Sequence, residues 1–298
     1  MQTATAVRGL SWRSTASAYL NLMKPHVTVL LLGTTLAAMV VAHGGLPSLG
    51  ITLATLLGGA MAAGSANAIN CYWDRDIDQI MTRTRTRALP AHRVQESHAL
   101  LFGLALGVGS FAVLATFVNL LSAALAVAAI LFYVVIYTMW LKRTTPQNIV
   151  IGGAAGAVPV LVGWAAVTGT VGLPAVWMFL IIFLWTPPHF WALSLSLKHD
   201  YARANVPMMP VVLGERETHR QIVLYSFLLL AASWVLFATH AMGALYFVSA
   251  TLLGTGLIVL ACVLAARRTL YWARAVFWFS NYYLALIFAA MVLDRVLR

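Results

Sequence analysis

Acidic residues are almost missing from this chain: eight Asp and Glu in 298 residues. Charge of either sign is scarce, at 9%, against 61% hydrophobic residues. A surface so poor in charge excludes an ordinary soluble domain. Cysteine is scarce too. Cys71 and Cys262, the two present, fall in or near apolar runs, which excludes a disulfide framework and a paired-cysteine metal site. The excess of basic residues, +11 overall, is spread along the chain and comes with no recognition motif. Nucleic acid is therefore not an expected partner. The segment before the first apolar run is polar and has no cleavable hydrophobic core, so no signal peptide is read there. It is free of acids and holds Arg and Ser, which leaves a short mitochondrial transit segment open beside the simpler reading of a bacterial inner membrane.

What the chain has instead is lipid-compatible sequence. Mean hydropathy is +0.86. Apolar stretches of about 20 residues, each long enough to cross a bilayer, repeat along it. They fall near 26–43, 49–74, 98–116, 119–140, 148–169, 174–197, 220–239, 243–266 and 275–294. The expected fold is an all-α polytopic membrane protein: residues 1–24 as a cytoplasmic N-terminal segment, then a single nine-helix domain over 25–298. Basic residues cluster before the first stretch (Arg8, Arg13, Lys24) and in the even connections, including Arg75, Arg93, Lys142, Arg143, Arg203, Arg220, Arg267 and Arg274. The odd connections carry none, and Arg295 and Arg298 alone fall on the other side. The positive-inside rule then places the N-terminus in the cytoplasm and the C-terminus outside, which requires an odd number of spans.

The few acids are concentrated. Asp74, Asp76 and Asp78 lie within five positions, at the end of the second apolar run. Asn70, Asp74 and Asp78 recur at i, i+4, i+8, so a helix places them on one face. Two carboxylates and an amide at a membrane edge suit a hard divalent cation such as Mg²⁺. The plain alternative is a solvated helix end paired with nearby arginines. Arg83 and Arg87 follow, also four apart, so that on a helix both reach one phosphate group through planar forks. Arg85 points elsewhere and reads as a lipid or surface charge. Lys142, beside Arg143 in the fourth connection, reaches toward a terminal phosphate or only anchors the chain on the positive side. Gly152, Gly153 and Gly156 read as a close helix-packing stripe.

The second and sixth connections together hold seven of the eight acids, all on one face of the membrane. Entering the sixth, Trp185-Thr-Pro187-Pro188-His189-Phe190-Trp191 puts two prolines inside a span. They are expected to break its hydrogen-bond ladder, a break tolerated where it lines a cavity. His189 reads as a packing residue, or as an axial ligand or hydrogen-bond donor to a planar ligand. Asp200 reads as a further metal ligand or as a partner of Lys198 or Arg203.

These residues carry a resemblance. Asn70-x-x-x-Asp74-x-x-x-Asp78 with Arg83-Thr84-x-x-Arg87 resembles the signature of intramembrane aromatic prenyltransferases. Residues 185–193, the string Asp200-Tyr201-x-x-Ala-x-x-Pro207-Met-Met-Pro210, Lys24-Pro25, Asn148 with the glycines, and Ser280-x-x-Tyr283-Leu284 resemble the branch of that family that farnesylates protohaem IX. The likeness covers about 20–294. It implies nine helices around a lipid-facing cavity, with Mg²⁺ holding farnesyl diphosphate on the cytoplasmic side and haem B as acceptor. It implies Asn70, Asp74 and Asp78 as catalytic metal-binding residues with Asp200 as an additional ligand. Arg83, Arg87, Lys142, Arg143 and Lys198 fall to the diphosphate, and His189 and Tyr201 to haem. Tyr72, Tyr201 or Phe190 would face the developing cation. Haem A synthase or terminal-oxidase assembly proteins are the partners implied, beside membrane lipid. Two departures stand out: Ala88 where many relatives have Pro, and Leu197 where quinone-pathway relatives have a second Asp. The latter counts against a quinone-type acceptor. A quinone precursor, a chlorophyll-type ring, a transporter and a passive haem carrier stand as the other readings.

Overall fold

The computed structural model describes residues 12–298. Arg8 and any transit segment lie outside the described residues. Among the described residues the structure is helical, with nine helices long and apolar enough to span a bilayer. In order these are Pro25–His43, Leu49–Trp73, Glu96–Phe117, Leu120–Thr144, Asn148–Thr168, Leu173–Ser196, Gly214–Ala238, Ala244–Arg267 and Leu270–Val296, called spans 1 to 9 below. Helices are the natural outcome, because lipid offers no partner for a free N–H or C=O. Spans 7 and 9 begin earlier than the apolar pattern implies. The polar turns before each apolar run continue the helix, with Glu215 and Glu217 in the first turn of span 7, where the helix dipole favours them.

Each span packs on the next in sequence, and span 9 closes onto span 1. Further contacts cross this ring, the most extensive being span 1 with span 5 and span 6 with span 9. The first, between spans 1 and 5, is backbone-close: a Cβ added at Gly163 would run into the Thr35 carbonyl oxygen. The expected central cavity is therefore off-centre. An apolar chamber with about 810 Å³ of empty space, its opening included, lies among spans 1, 2, 4 and 5. Leu31, Ala63, Ala126, Gly156, Pro159 and Val162 line it, and Asn67 and Tyr133 also face it. Of the glycine stripe, Gly152 and Gly153 do pack closely, on Tyr137 and Thr186, while Gly156 leaves open space.

Three local features depart from the sequence reading. Pro187 and Pro188 do not break span 6, which runs on to Ser196. Side-chain hydrogen bonds flank the two prolines: Thr186 donates to the Ile182 carbonyl at 2.8 Å and Trp185 to the Ser280 carbonyl of span 9 at 2.7 Å. Span 4 widens into a π-helix over Phe132–Leu141. Within the N-terminal segment, Trp12–Leu22 forms a short helix that buries Ala18 and Leu22 against Ala68, Cys71, Ala88 and Leu89.

Candidate active site

Span 2 ends at Trp73, and a short helix, Arg75–Ile80, continues beyond it. Asp74 is the single residue between them, yet the register holds. Its N–H donates to the Asn70 carbonyl at 2.9 Å, and the Asp78 N–H donates to its own at 2.8 Å. Asn70, Asp74 and Asp78 therefore share one face, as their spacing predicts, and all three are buried at 3%, 0% and 2% exposure. Asp76 points away: it is exposed and paired with Arg143 at 2.7 Å.

Burying two carboxylates at a membrane edge is costly unless they are paired. Here each is. Lys142 binds Asp74, and Arg87 binds both oxygens of Asp78, at 3.0 and 2.8 Å. The Asn70 amide donates to Asp74 at 2.7 Å and to the Thr138 hydroxyl at 3.1 Å. Its oxygen accepts from Lys24 at 2.7 Å. Lys24 sits in a left-handed conformation, φ 49°, at the cap of span 1. Burial pulls its ammonium below the ordinary lysine value, while Cys71, Asp74 and Asp78 act the other way.

The π-helix sets the far wall. Thr138 donates to the Tyr133 carbonyl five residues back, at 2.8 Å, which leaves its oxygen facing Asn70. Sequence reasoning used Lys24 only for topology and resemblance, and passed over Thr138, Tyr133 and Tyr137. The available signal was proximity in sequence: Thr138 lies one turn before Lys142, and Lys24 directly precedes the proline that opens span 1.

Arg83 and Arg87 are not on a helix. Residues 81–94 form consecutive turns, because the chain must double back from Ile80 to Glu96. Even so, the Arg83 side chain meets the Tyr201 hydroxyl, and the Arg87 charge acts on the same phenol. Burial holds the Tyr201 phenol above its ordinary value, against the opposing pull of Arg83, so it is a neutral donor. Tyr201 thus belongs to the arginine group. Asp200 is engaged: it accepts from Arg203 at 3.0 Å and from the Arg83 N–H at 3.4 Å. Lys198 stands apart, paired with Glu215 at 2.9 Å. Tyr72 lies under Arg75, 4.6 Å from its ring centre, and Arg75 pairs with Glu96. His189 lies between spans 6 and 9, stacked on Trp185 and Phe277.

Two properties of this layer bear on ligands. Among the described residues no group of three or more His, Cys, Asp or Glu is gathered to enclose a metal. Mg²⁺ does not need one, since it keeps water and phosphate oxygens and takes one or two carboxylates. Asp74 Oδ1 is fully buried without a hydrogen bond, 3.7 Å from Arg143. An unspent carboxylate oxygen beside an amide and a second carboxylate fits that cation. The layer also carries more positive than negative side chains: Lys24, Arg83, Arg87, Lys142 and Arg143 against Asp74, Asp76 and Asp78. A polyanion at the mouth of an apolar chamber balances that surplus.

A bundle of spanning helices with a buried acid–base layer above an apolar chamber is the arrangement of a membrane-embedded transferase. The model of the UbiA prenyltransferase family matches residues 31–293, and the chain belongs to that family. A relative from Symbiobacterium thermophilum, named protohaem IX farnesyltransferase, is 54% identical over 93% of both chains. One of the same name from Synechocystis sp. is 52% identical over 96% of this chain and 91% of its own. Among solved structures, a digeranylgeranylglyceryl phosphate synthase superposes with TM-score 0.79 at 18% identity, over 95% of this chain and 99% of the other. A UbiA homologue from Archaeoglobus fulgidus, bound to DMAPP and Mg²⁺, gives 0.67 at 17%, over 92% and 99%.

Proposed function

We propose that this protein transfers a farnesyl group from farnesyl diphosphate to a vinyl group of protohaem IX (haem B), with water adding to give haem O and diphosphate. The observation that carries the reading is the buried Asn70–Asp74–Asp78 face with its surplus of cations, set beside an apolar chamber suited to an isoprenoid tail. The names of relatives at 50–54% identity support haem as the acceptor.

Asp74, Asp78 and Asn70 would hold Mg²⁺, which when bound neutralises charge on the diphosphate oxygens. Binding then requires a trade of partners. Lys142 and Arg87, released from the carboxylates, turn to the phosphates, joined by Lys24, Arg83 and Arg143. Spreading leaving-group charge over these cations lowers the barrier to allylic C–O cleavage. The Tyr201 hydroxyl supplies a neutral donor to the same oxygens. Tyr133, at the join of layer and chamber, presents a ring to the developing cation. The tail lies among spans 1, 2, 4 and 5, away from bulk water. Lys198 is not assigned to the diphosphate, and Asp200 serves first to hold the 80–83 turn. The acid–base layer faces the cytoplasm of a bacterial inner membrane in this reading, with the N-terminus on that side. The haem product would pass to a haem A synthase or an oxidase assembly partner.

The test is a mass-spectrometric assay on membranes holding the protein, given protohaem IX, farnesyl diphosphate and Mg²⁺. A hydroxyethylfarnesyl haem, lost with EDTA, is the expected product. Folded protein that makes no new haem but prenylates a quinone precursor would replace the acceptor and keep the chemistry.

A further inference from the structure

Spans 6 and 9 share a polar contact that the acid–base layer does not use. His189 lies seven residues before the end of span 6 at Ser196, about 10 Å along a helix rising about 1.5 Å per residue. Its imidazole is sandwiched between Trp185, centre to centre 4.3 Å and 17° from parallel, and Phe277, at 4.8 Å and 27°. Both faces are covered, so only the ring edges are left to bind anything.

One edge is settled by proton counting. His189 Nδ1 lies 2.8 Å from the Ser280 hydroxyl oxygen. That hydroxyl lies 2.7 Å from the Phe277 carbonyl oxygen. A carbonyl only accepts, and two oxygens that close require the proton between them. Ser280 has one proton and spends it there, so it accepts from His189. The imidazole is therefore protonated on Nδ1 and carries its lone pair on Nε2. Among the described residues Nε2 has no hydrogen-bond partner, and it is not sealed in as Trp191 Nε1 and His219 Nδ1 are. Ser280 is itself held, since its carbonyl accepts from Trp185. A neutral imidazole, oriented by stacking and with its other nitrogen donating to a fixed oxygen, is the form in which proteins present histidine to a metal.

We infer that His189 Nε2 is an axial ligand to the iron of the haem substrate, and that Ser280 is the positioning residue that sets its tautomer. The inference rests on haem being the acceptor. It gives a porphyrin two helical turns below the ion layer one fixed point, and it assigns a use to two residues that the diphosphate half leaves idle.

The test uses the full-length protein in lipid nanodiscs, titrated with ferric protohaem IX and read by absorption and electron paramagnetic resonance. Wild type is expected to give an imidazole-ligated spectrum. His189→Ala should lose that signature and bind haem at least tenfold more weakly. Added imidazole should restore the signature, and metal-free protoporphyrin IX should bind both proteins within about twofold. Ser280→Ala should weaken haem about tenfold, with Ser280→Thr recovering it. Farnesyl diphosphate binding by each variant serves as the control for folding. If wild type farnesylates haem while His189→Ala keeps an unchanged haem spectrum, the ligand is elsewhere. If that spectrum is unchanged and the product forms without its hydroxyl, His189 acts on the adding water and the ligand assignment is overturned. If wild type neither farnesylates nor binds haem, the acceptor reading itself fails, and this inference with it.

Discussion

Asp74 shows how one residue serves stability and chemistry at once. It is fully buried, paired with Lys142 and hydrogen-bonded by Asn70, yet keeps one oxygen without a hydrogen bond. Asp74→Asn removes a metal ligand and also strands Lys142, whose side chain is only 14% exposed. Breaking one side of a buried pair costs about 3–5 kcal/mol, so lost activity alone would be ambiguous. Measured beside Lys142→Met, which reports what losing that phosphate-directed cation costs alone, the double variant Asp74→Asn/Lys142→Met separates the two effects. It should recover most of the thermal stability that the single variant loses, while turnover stays at least about 100-fold down, the scale of removing one fixed electrostatic contact. Turnover that returned along with stability would show that Asp74 does no more than balance charge. Chelation makes the same point without mutation: EDTA should abolish product formation by wild type, and added Mg²⁺ should restore it.

At the scale of elements, the pieces that shape the site are the ones composition does not show. The nine spans were legible because lipid imposes length and apolarity on each. The Asn70–Asp74–Asp78 face was legible because helical spacing survives the break at Asp74. The π-helix, the left-handed Lys24 and the unbroken run through Pro187 and Pro188 were not, because no spacing of residue types marks them. Gly152 tests the π-helix. A Cβ there would run into the Tyr137 ring, so Gly152→Val must push the segment that carries Thr138 and Lys142. A loss of about 1–3 kcal/mol is expected from overpacking, with turnover falling further than stability explains. Gly156→Ala, with nothing within 4 Å, should leave stability near wild type, as thermal melts in detergent would report. A second element-scale prediction concerns the clasp between the even connections. Burial pushes the Asp200 carboxyl up, but hydrogen bonds from Thr82 and Arg83 and the Arg203 charge outweigh it, so its value is lowered from 3.8. A depressed carboxyl stabilises the fold above its unfolded value and loses that contribution as pH falls through the folded one. Protection of the amides in residues 80–83, measured against their intrinsic exchange rates, should therefore fall below about pH 4, and Asp200→Asn should show the reduced protection already at neutral pH.

The whole molecule has one orientation to settle, and its connectivity makes the answer global. Spans 1 to 9 close into a ring in which each packs on its neighbours, so no single connection can reverse alone. The second, fourth, sixth and eighth connections share one end and carry 14 of the 19 Lys and Arg, while Arg295 and Arg298 lie at the other. That asymmetry favours a cytoplasmic acid–base layer. Two exposed positions report it: Arg85 in the turns after Ile80 and Leu46, at 81% exposure, between spans 1 and 2. Single cysteines placed there, with Cys262 changed to Ser and Cys71 already buried, should label with a membrane-impermeant maleimide on opposite sides. Arg85→Cys should react in inverted vesicles and stay silent in intact spheroplasts. Leu46→Cys should do the reverse. The opposite pattern would put the diphosphate layer outside, where a cytoplasmic pool of farnesyl diphosphate does not reach it, and would sink the proposed side of entry even if haem proved to be the acceptor.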